Sequence, residues 1–206
     1  MLILVGLGNP GPSYAKNRHN LGATTLDAIA RRWNFGAERA RFSGVAREGE
    51  IATAAGARRA LLLKPRTFYN ESGRAVSEAV GFYKASPADV VVFYDEIDLA
   101  AGRFRMKTGG GAAGNNGIRS ITAHIGADFH RARMGVGHPG HKDRVMGHVL
   151  SDFHKVDAAW VQDLIAACAE ALPLLAAGEH ERYQAEVMRL APADKLDARA
   201  VGRRAE

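Results

Sequence analysis

Asp89-Val-Val-Val-Phe-Tyr-Asp95 is the most β-prone stretch of the chain: five β-branched or aromatic residues in a row, closed by an aspartate. Leu2-Ile-Leu-Val-Gly-Leu7 is a second apolar run, ending in glycines, and Ala60-Leu-Leu-Leu-Lys64 a third, stopped by Pro65. Short continuous runs of this kind fit buried strands. Between them lie segments with helical spacing. Residues 20–33 put Leu21, Leu26, Ile29, Ala30 and Trp33 on one face, and residues 72–84 do the same with Val76, Val80 and Tyr83. Further strands are predicted over 42–53, 103–107 and 131–136. Further helices are predicted over 116–125, 156–176 and 181–190, with Pro173 kinking or shortening the long one. Strands alternating with helices predict an α/β fold, a single domain whose β-sheet is parallel at its centre and flanked by α-helices. The domain is expected over residues 1–190, followed by a small, charged and flexible tail over 191–206.

The 206 residues are 47% hydrophobic and 24% charged, which excludes a disordered or collagen-like chain. Lys and Arg outnumber Asp and Glu by 28 to 22. The excess is localised: residues 101–150 hold eight basic and two acidic side chains, with 11 of the 23 glycines. Segregated positive charge points to a polyanionic partner, with a solvated basic surface as the open alternative. The single cysteine, Cys168, excludes an intrachain disulfide and a cysteine-based zinc site, and its apolar neighbours make it a core residue. No apolar run approaches the roughly 20 residues that span a bilayer. The N-terminus lacks the basic region of a signal peptide, so the cytoplasm is the expected compartment.

Gly6-Leu-Gly-Asn-Pro-Gly11 matches a dinucleotide-binding fingerprint, but no helix opens at Gly11, and Pro10 sits inside the loop. A glycine-rich turn after a strand is the better reading. His19 lies beyond the carboxyl end of the first strand and Asp95 at the carboxyl end of the strongest. In a parallel sheet these ends share one edge, where α/β proteins place their sites. A carboxylate facing an imidazole fixes its tautomer and stabilises the imidazolium, so the pair reads as a general base and its orienter. A surface histidine and a capping aspartate are the plain alternative. Asn70 and Asn116 fall on the same edge, each as a neutral amide contact or a helix cap. Glycines 109–114 suggest close backbone approach to a ligand, or a mobile rim. Arg103, Arg105 and Lys107 share one strand face, and Arg131 and Arg133 another, together a basic patch suited to phosphates. His138 and His141 make a weak metal pair, and Asp95, Glu96 and Asp98 a weak Mg²⁺ candidate.

Taken in order, these segments resemble the bacterial-type peptidyl-tRNA hydrolase family. The resemblance rests on Val5-Gly-Leu-Gly-Asn-Pro-Gly11, Tyr14, Arg18-His-Asn20, Lys64-Pro-Arg-Thr-Phe-Tyr-Asn70 and Asp95-Glu-Ile-Asp98. It continues through Gly109–Gly117 and Arg131–Gly140 to Lys142 and Val149-Leu150. It implies a twisted mixed sheet and hydrolysis of the ester joining a peptidyl group to the 3′-ribose of tRNA. By similarity His19 is the base that activates water and Asp95 orients it. Asn9 and Asn70 hold the 3′-terminal adenosine and the scissile carbonyl, and Asn116 the peptide backbone or the water. Phe68 and Tyr69 line the site, and Tyr14 packs beside His19. Lys107 and Arg133 clamp the 5′-phosphate, and Lys142 joins that basic surface. The partner implied is the acceptor stem and 3′ end of peptidyl-tRNA, bound by a monomer away from any membrane, with no metal or organic cofactor.

This sequence departs from the family pattern at Asn17, where Thr is usual, at Tyr69, where Met is usual, and at Asn115, where His is usual. His141 stands where Asp is common. A non-catalytic RNA-binding relative of the same fold is the competing reading. A nucleotide-dependent oxidoreductase rests on the glycine fingerprint alone. Retention of Asn9, His19, Asn70, Asp95 and Asn116 favours the enzyme.

Overall fold

The three apolar runs, joined by the strand His130–Gly135, become the parallel centre of one seven-stranded sheet. The computed structural model describes residues 1–193, so the remainder of the expected tail, 194–206, lies outside the described residues. The strands are β1 (Leu2–Gly6), β2 (Arg39–Arg41), β3 (Gly44–Thr53), β4 (Gly56–Pro65), β5 (Val90–Glu96), β6 (Phe104–Thr108) and β7 (His130–Gly135). Their order across the sheet is β2-β3-β4-β1-β5-β7-β6. The neighbours β4, β1, β5 and β7 run parallel, while β2, β3 and β6 are antiparallel to their partners. Every residue of β1 and β5 is buried, as expected of strands covered on both faces.

Alternation along the strands separates two cores. Leu2, Leu4, Val91 and Phe93 pack with Leu26 and Ile29 of α1 (Leu21–Arg32) and with Leu164 and Cys168 of α5 (Ala158–Glu170). Ile3, Val5, Val90 and Val92 pack with Val76 of α2 (Ser72–Tyr83) and Ile118 and Ile121 of α3 (Asn116–Ile125). Cys168 is fully buried, which pushes its thiol up to about 12 and leaves it an inert core residue. The approach of α1 to the sheet is close: a Cβ on Gly22 would lie 2.0 Å from the Phe93 carbonyl oxygen. A glycine is required there, and it brings the residues just before α1 down onto the end of β5.

Three local expectations are corrected. The predicted strand 42–53 starts at Gly44, because Phe42 and Ser43 form the tight turn of a hairpin with positive φ of 54° and 46°. Nothing in Phe-Ser advertises such a turn, which glycine or asparagine usually fills. The predicted helix 156–176 begins at Ala158 and ends at Glu170. A separate helix, α6 (Leu172–Ala176), follows with Pro173 in its first turn, where the missing N–H costs nothing. The short helix α4 (Val145–Val149) has no counterpart in the sequence reading. The last helix, α7 (His180–Leu190), lies against β6 and is followed by the buried Ala191 and Ala193.

Candidate active site

The carboxyl ends of β1, β4 and β5 each deliver one part of a single constellation. After β1 the chain makes short turns at Pro12–Tyr14 and Arg18–Asn20 before α1 begins, so no helix opens at Gly11 and the dinucleotide reading is excluded. That second turn carries His19. Asp95 is the penultimate residue of β5, with its side chain only 1% exposed. His19 Nδ1 lies 2.9 Å from both carboxylate oxygens of Asp95. A carboxylate can only accept, so the imidazole proton sits on Nδ1 and Nε2 carries the lone pair. Nε2 has no hydrogen bond among the described residues, and the side chain keeps 18% of its surface open.

Tyr69 follows β4 and closes the constellation from below. Its ring stacks on His19 at 3.6 Å between centroids and 8° between planes. Its hydroxyl donates to Asp95 Oδ1 at 3.1 Å and accepts from Asn115 Nδ2 at 3.1 Å. Burial first, and then the charge of Asp95, hold the phenol well above its ordinary value, so it remains a donor. Tyr14 lines the same cleft as His19, and the ring stacked on the imidazole is Tyr69. Asn115 makes two contacts. Its Oδ1 caps α3 by accepting from Ile118 N–H, which leaves Nδ2 aimed at Tyr69.

The asparagines are oriented by their bonds. Asn9 Oδ1 accepts from the Tyr69 backbone N–H at 2.9 Å, so Nδ2 is the end left open. The Asn9 backbone and the Asn20 side-chain amide also pair, Asn9 N–H donating to Asn20 Oδ1 and Asn20 Nδ2 to the Asn9 carbonyl, at 2.9 Å each way, which fixes the loop after β1 beside His19. Asn116 Oδ1 accepts from Arg119, which again leaves its NH₂ open. Asn70 is exposed at the cleft edge. The cleft holds about 690 Å³, and His19, Asp95, Asn9, Asn70, Asn116 and Phe68 all line it. One wall is apolar: Val145, Met146, Val149 and Leu150, from α4 and its end. Arg18 anchors that wall. Its buried guanidinium donates to Ser151 Oγ at 2.7 Å and to the Asp152 carbonyl at 2.8 Å, and it lies over the Phe153 ring. Asn17 donates to Asp152 Oδ1 at 2.8 Å and serves the same junction. This wall escaped the sequence reading, whose only signal for it was the pattern Val145-Met-Gly-His-Val-Leu150.

The basic residues do not form the even patch their alternation predicts. Arg105 pairs across strands with Arg133, and Lys107 with Arg131, so the four start from one sheet face. Arg131 is then withdrawn from solvent, 1% exposed, and donates to the carbonyls of Gly110 and Gly111 at 2.6 and 2.7 Å. Gly110 has φ of 86°, and a Cβ there would meet the Lys107 side chain at 2.8 Å. The absence of a Cβ at Gly110 thus lets the backbone lie against Lys107 while its carbonyl accepts from Arg131. Arg133 Nε donates to the buried Glu96 at 3.0 Å, which makes Glu96 its counterion. Lys107 and Arg105 stay exposed. Lys142 lines the cleft. His138 and His141 each accept a backbone N–H two residues on.

An open imidazole nitrogen backed by a buried carboxylate, in a cleft rich in neutral amides at the carboxyl edge of an α/β sheet, is the equipment of a hydrolase that activates water. The comparisons with known proteins are specific. The family model for peptidyl-tRNA hydrolase matches residues 3–195. A peptidyl-tRNA hydrolase of Phenylobacterium zucineum is 67% identical over 199 residues, covering 97% of this chain and 95% of that one. One of Hyphomonas neptunium is 58% identical over 206 residues, covering both chains completely. The crystal structure of peptidyl-tRNA hydrolase from Acinetobacter baumannii superposes with a TM-score of 0.85 at 36% identity, over 91% of this chain and 94% of that one. The chain belongs to the peptidyl-tRNA hydrolase family.

Proposed function

We propose that this chain hydrolyses the ester between a peptidyl group, or another N-blocked aminoacyl group, and the 3′-terminal ribose of tRNA. His19 acts as general base and Asp95 as its orienter. The observation that carries the reading is the His19–Asp95 pair, with Nε2 left open to the cleft. No serine, threonine or cysteine lines the cleft among the described residues, which suits direct attack by water. Nε2 takes a proton from that water as its oxygen attacks the ester carbonyl carbon, and Asp95 stabilises the imidazolium. The tetrahedral intermediate then expels the ribose 3′-oxygen, which takes the proton back from Nε2. Peptide acid and free tRNA result. General-base catalysis of this kind contributes roughly 10²–10⁴-fold.

Asn9 and Asn70 hold the terminal adenosine and the scissile carbonyl, and Asn116 the peptide backbone or the attacking water. The open NH₂ groups of Asn9 and Asn116 are neutral donors suited to a developing oxyanion. Tyr14, Phe68 and the apolar wall from α4 border the channel for the peptide, with Lys142 at its rim. Lys107 and Arg133 grip phosphate of the acceptor stem, Arg133 from a position fixed by Glu96. One chain supplies base, orienter and amides, so a monomer suffices. A substrate made by translation places the enzyme in the cytoplasm.

The test compares wild type with His19→Ala in release of labelled peptide from N-blocked aminoacyl-tRNA. Wild type releases it, and the variant loses at least about 10²-fold in rate while its tRNA affinity stays within about twofold. No release by wild type refutes the hydrolase reading and favours a non-catalytic RNA-binding relative.

A further inference from the structure

We propose that Tyr69 is a positioning residue for the base, and that Asn115, Tyr69, Asp95 and His19 form one hydrogen-bonded relay in which the tyrosine hydroxyl fixes the orientation of the pair. The inference rests on the hydrolase reading and deepens it, because Tyr69 then acts through Asp95 in addition to lining the cleft.

Three observations carry it. The hydroxyl is a double participant, donating to Asp95 Oδ1 and accepting from Asn115 Nδ2, both at 3.1 Å. Tyr69 is only 4% exposed, so its polar end serves the interior and its hydroxyl proton has Asp95 as its acceptor. Its ring is stacked at 3.6 Å on the imidazole, which limits rotation of His19 to the plane that contains Asp95. Asn115 is itself immobilised by capping α3 through Oδ1, so its NH₂ direction is settled by the helix. Burial and the Asp95 charge keep the phenol protonated throughout the working pH range.

The relay has a direction. A donor on Asp95 Oδ1 shares the carboxylate charge that would otherwise fall on His19. Removing it changes the charge that the Nδ1–H bond of His19 meets. It also frees Asp95 to rotate, which loosens the base. The other ionisable groups around the cleft are Tyr14, Glu96, His138 and Lys142, and none is bonded to His19; Glu96 is tied to Arg133.

Tyr69→Phe keeps the ring, the stack and the cleft wall and deletes only the hydroxyl. We expect kcat to fall about three- to tenfold with KM within about twofold. NMR of the ¹⁵N-labelled imidazole, read on the free protein, should show the His19 Nδ1–H resonance displaced from its wild-type position. Asn115→Ser retains a cap for α3 but removes the amide donor. It should reproduce a smaller version of the same defect, and add nothing to it in the Tyr69→Phe background. A Tyr69→Phe enzyme with wild-type kcat, or with an unmoved His19 Nδ1–H resonance, overturns the relay, as does full additivity of the two substitutions. If wild type itself releases no peptide, the hydrolase reading is what fails, and the Nδ1–H resonance still decides the relay.

Discussion

Replacing Asp95 by asparagine removes one charge and almost no volume, and the structure sets how much that should cost. With both oxygens 2.9 Å from His19 Nδ1, the carboxylate attracts the imidazolium by roughly 5–6 kcal/mol at an effective dielectric of about 20. Discounting for the partial exposure of His19 leaves about 4 kcal/mol, or about 10³-fold in kcat. The substituted amide must also choose an orientation. Tyr69 O–H needs an acceptor, so the amide oxygen of residue 95 turns to Tyr69 and the NH₂ turns to His19. Nδ1 then becomes an acceptor, the ring proton moves to Nε2, and the base is blocked. Both effects act on the chemical step, so kcat in single-turnover release of peptide should fall by about 10³ or more while tRNA binding holds. The same logic yields a reversal of sign. In the Asp95→Asn background, Tyr69→Phe removes the group that dictates the amide orientation, and the double variant should regain several-fold activity over the single. Less than about tenfold loss in Asp95→Asn would refute the assigned geometry. A double variant slower than the single would refute the orientation argument.

Other outcomes follow from the same contacts. Lys107→Ala should weaken tRNA binding and flatten the slope of log affinity against log salt by about one, measured by titration at several salt concentrations; an unchanged slope removes Lys107 from the grip. Arg133 is a poorer probe, because its loss strands the buried Glu96. Arg131→Met leaves the Gly110 and Gly111 carbonyls without their donor, which should cost about 2–3 kcal/mol and lower Tm by roughly 5–10 °C; a Tm within about 2 °C of wild type would contradict the packing role. His130 and His180 meet edge to ring at 4.0 Å, and burial lowers both from their ordinary value. The unfolded chain therefore binds more protons than the native protein just below pH about 6.5. The stability from this pair is present above that pH and lost as pH falls beneath it. Thermal melts between pH 7.5 and 5.5 should show that loss, and His180→Gln should shrink it; parallel curves for the two proteins would sink the idea.

What the sequence determined by itself was everything that repeats over short distances. The runs Leu2–Leu7, Ala60–Lys64 and Val90–Tyr94 specify strands covered on both faces, because no other packing hides an unbroken apolar stretch. The spacing of Leu21, Leu26 and Ile29 specifies a helix for the same reason. Two parallel strand ends then place His19 and Asp95 on one edge before any coordinate is known. The turn at Phe42-Ser43 and the helix Val145–Val149 were not legible, because neither carries the residues that usually mark such features. Only the tertiary structure decided the rest. Alternation cannot tell that Arg131 folds inward onto glycine carbonyls while Lys107, its cross-strand neighbour, stays in water. Nor can it tell that Arg133 finds Glu96, or that Lys142 lines the cleft. Tyr69 and Asp95 are 26 positions apart, and Tyr69 and Asn115 46, yet each pair is hydrogen-bonded. Hydrogen bonds between side chains on different elements depend on how those elements dock. Docking is set by the summed packing of two cores, which no local window of sequence contains.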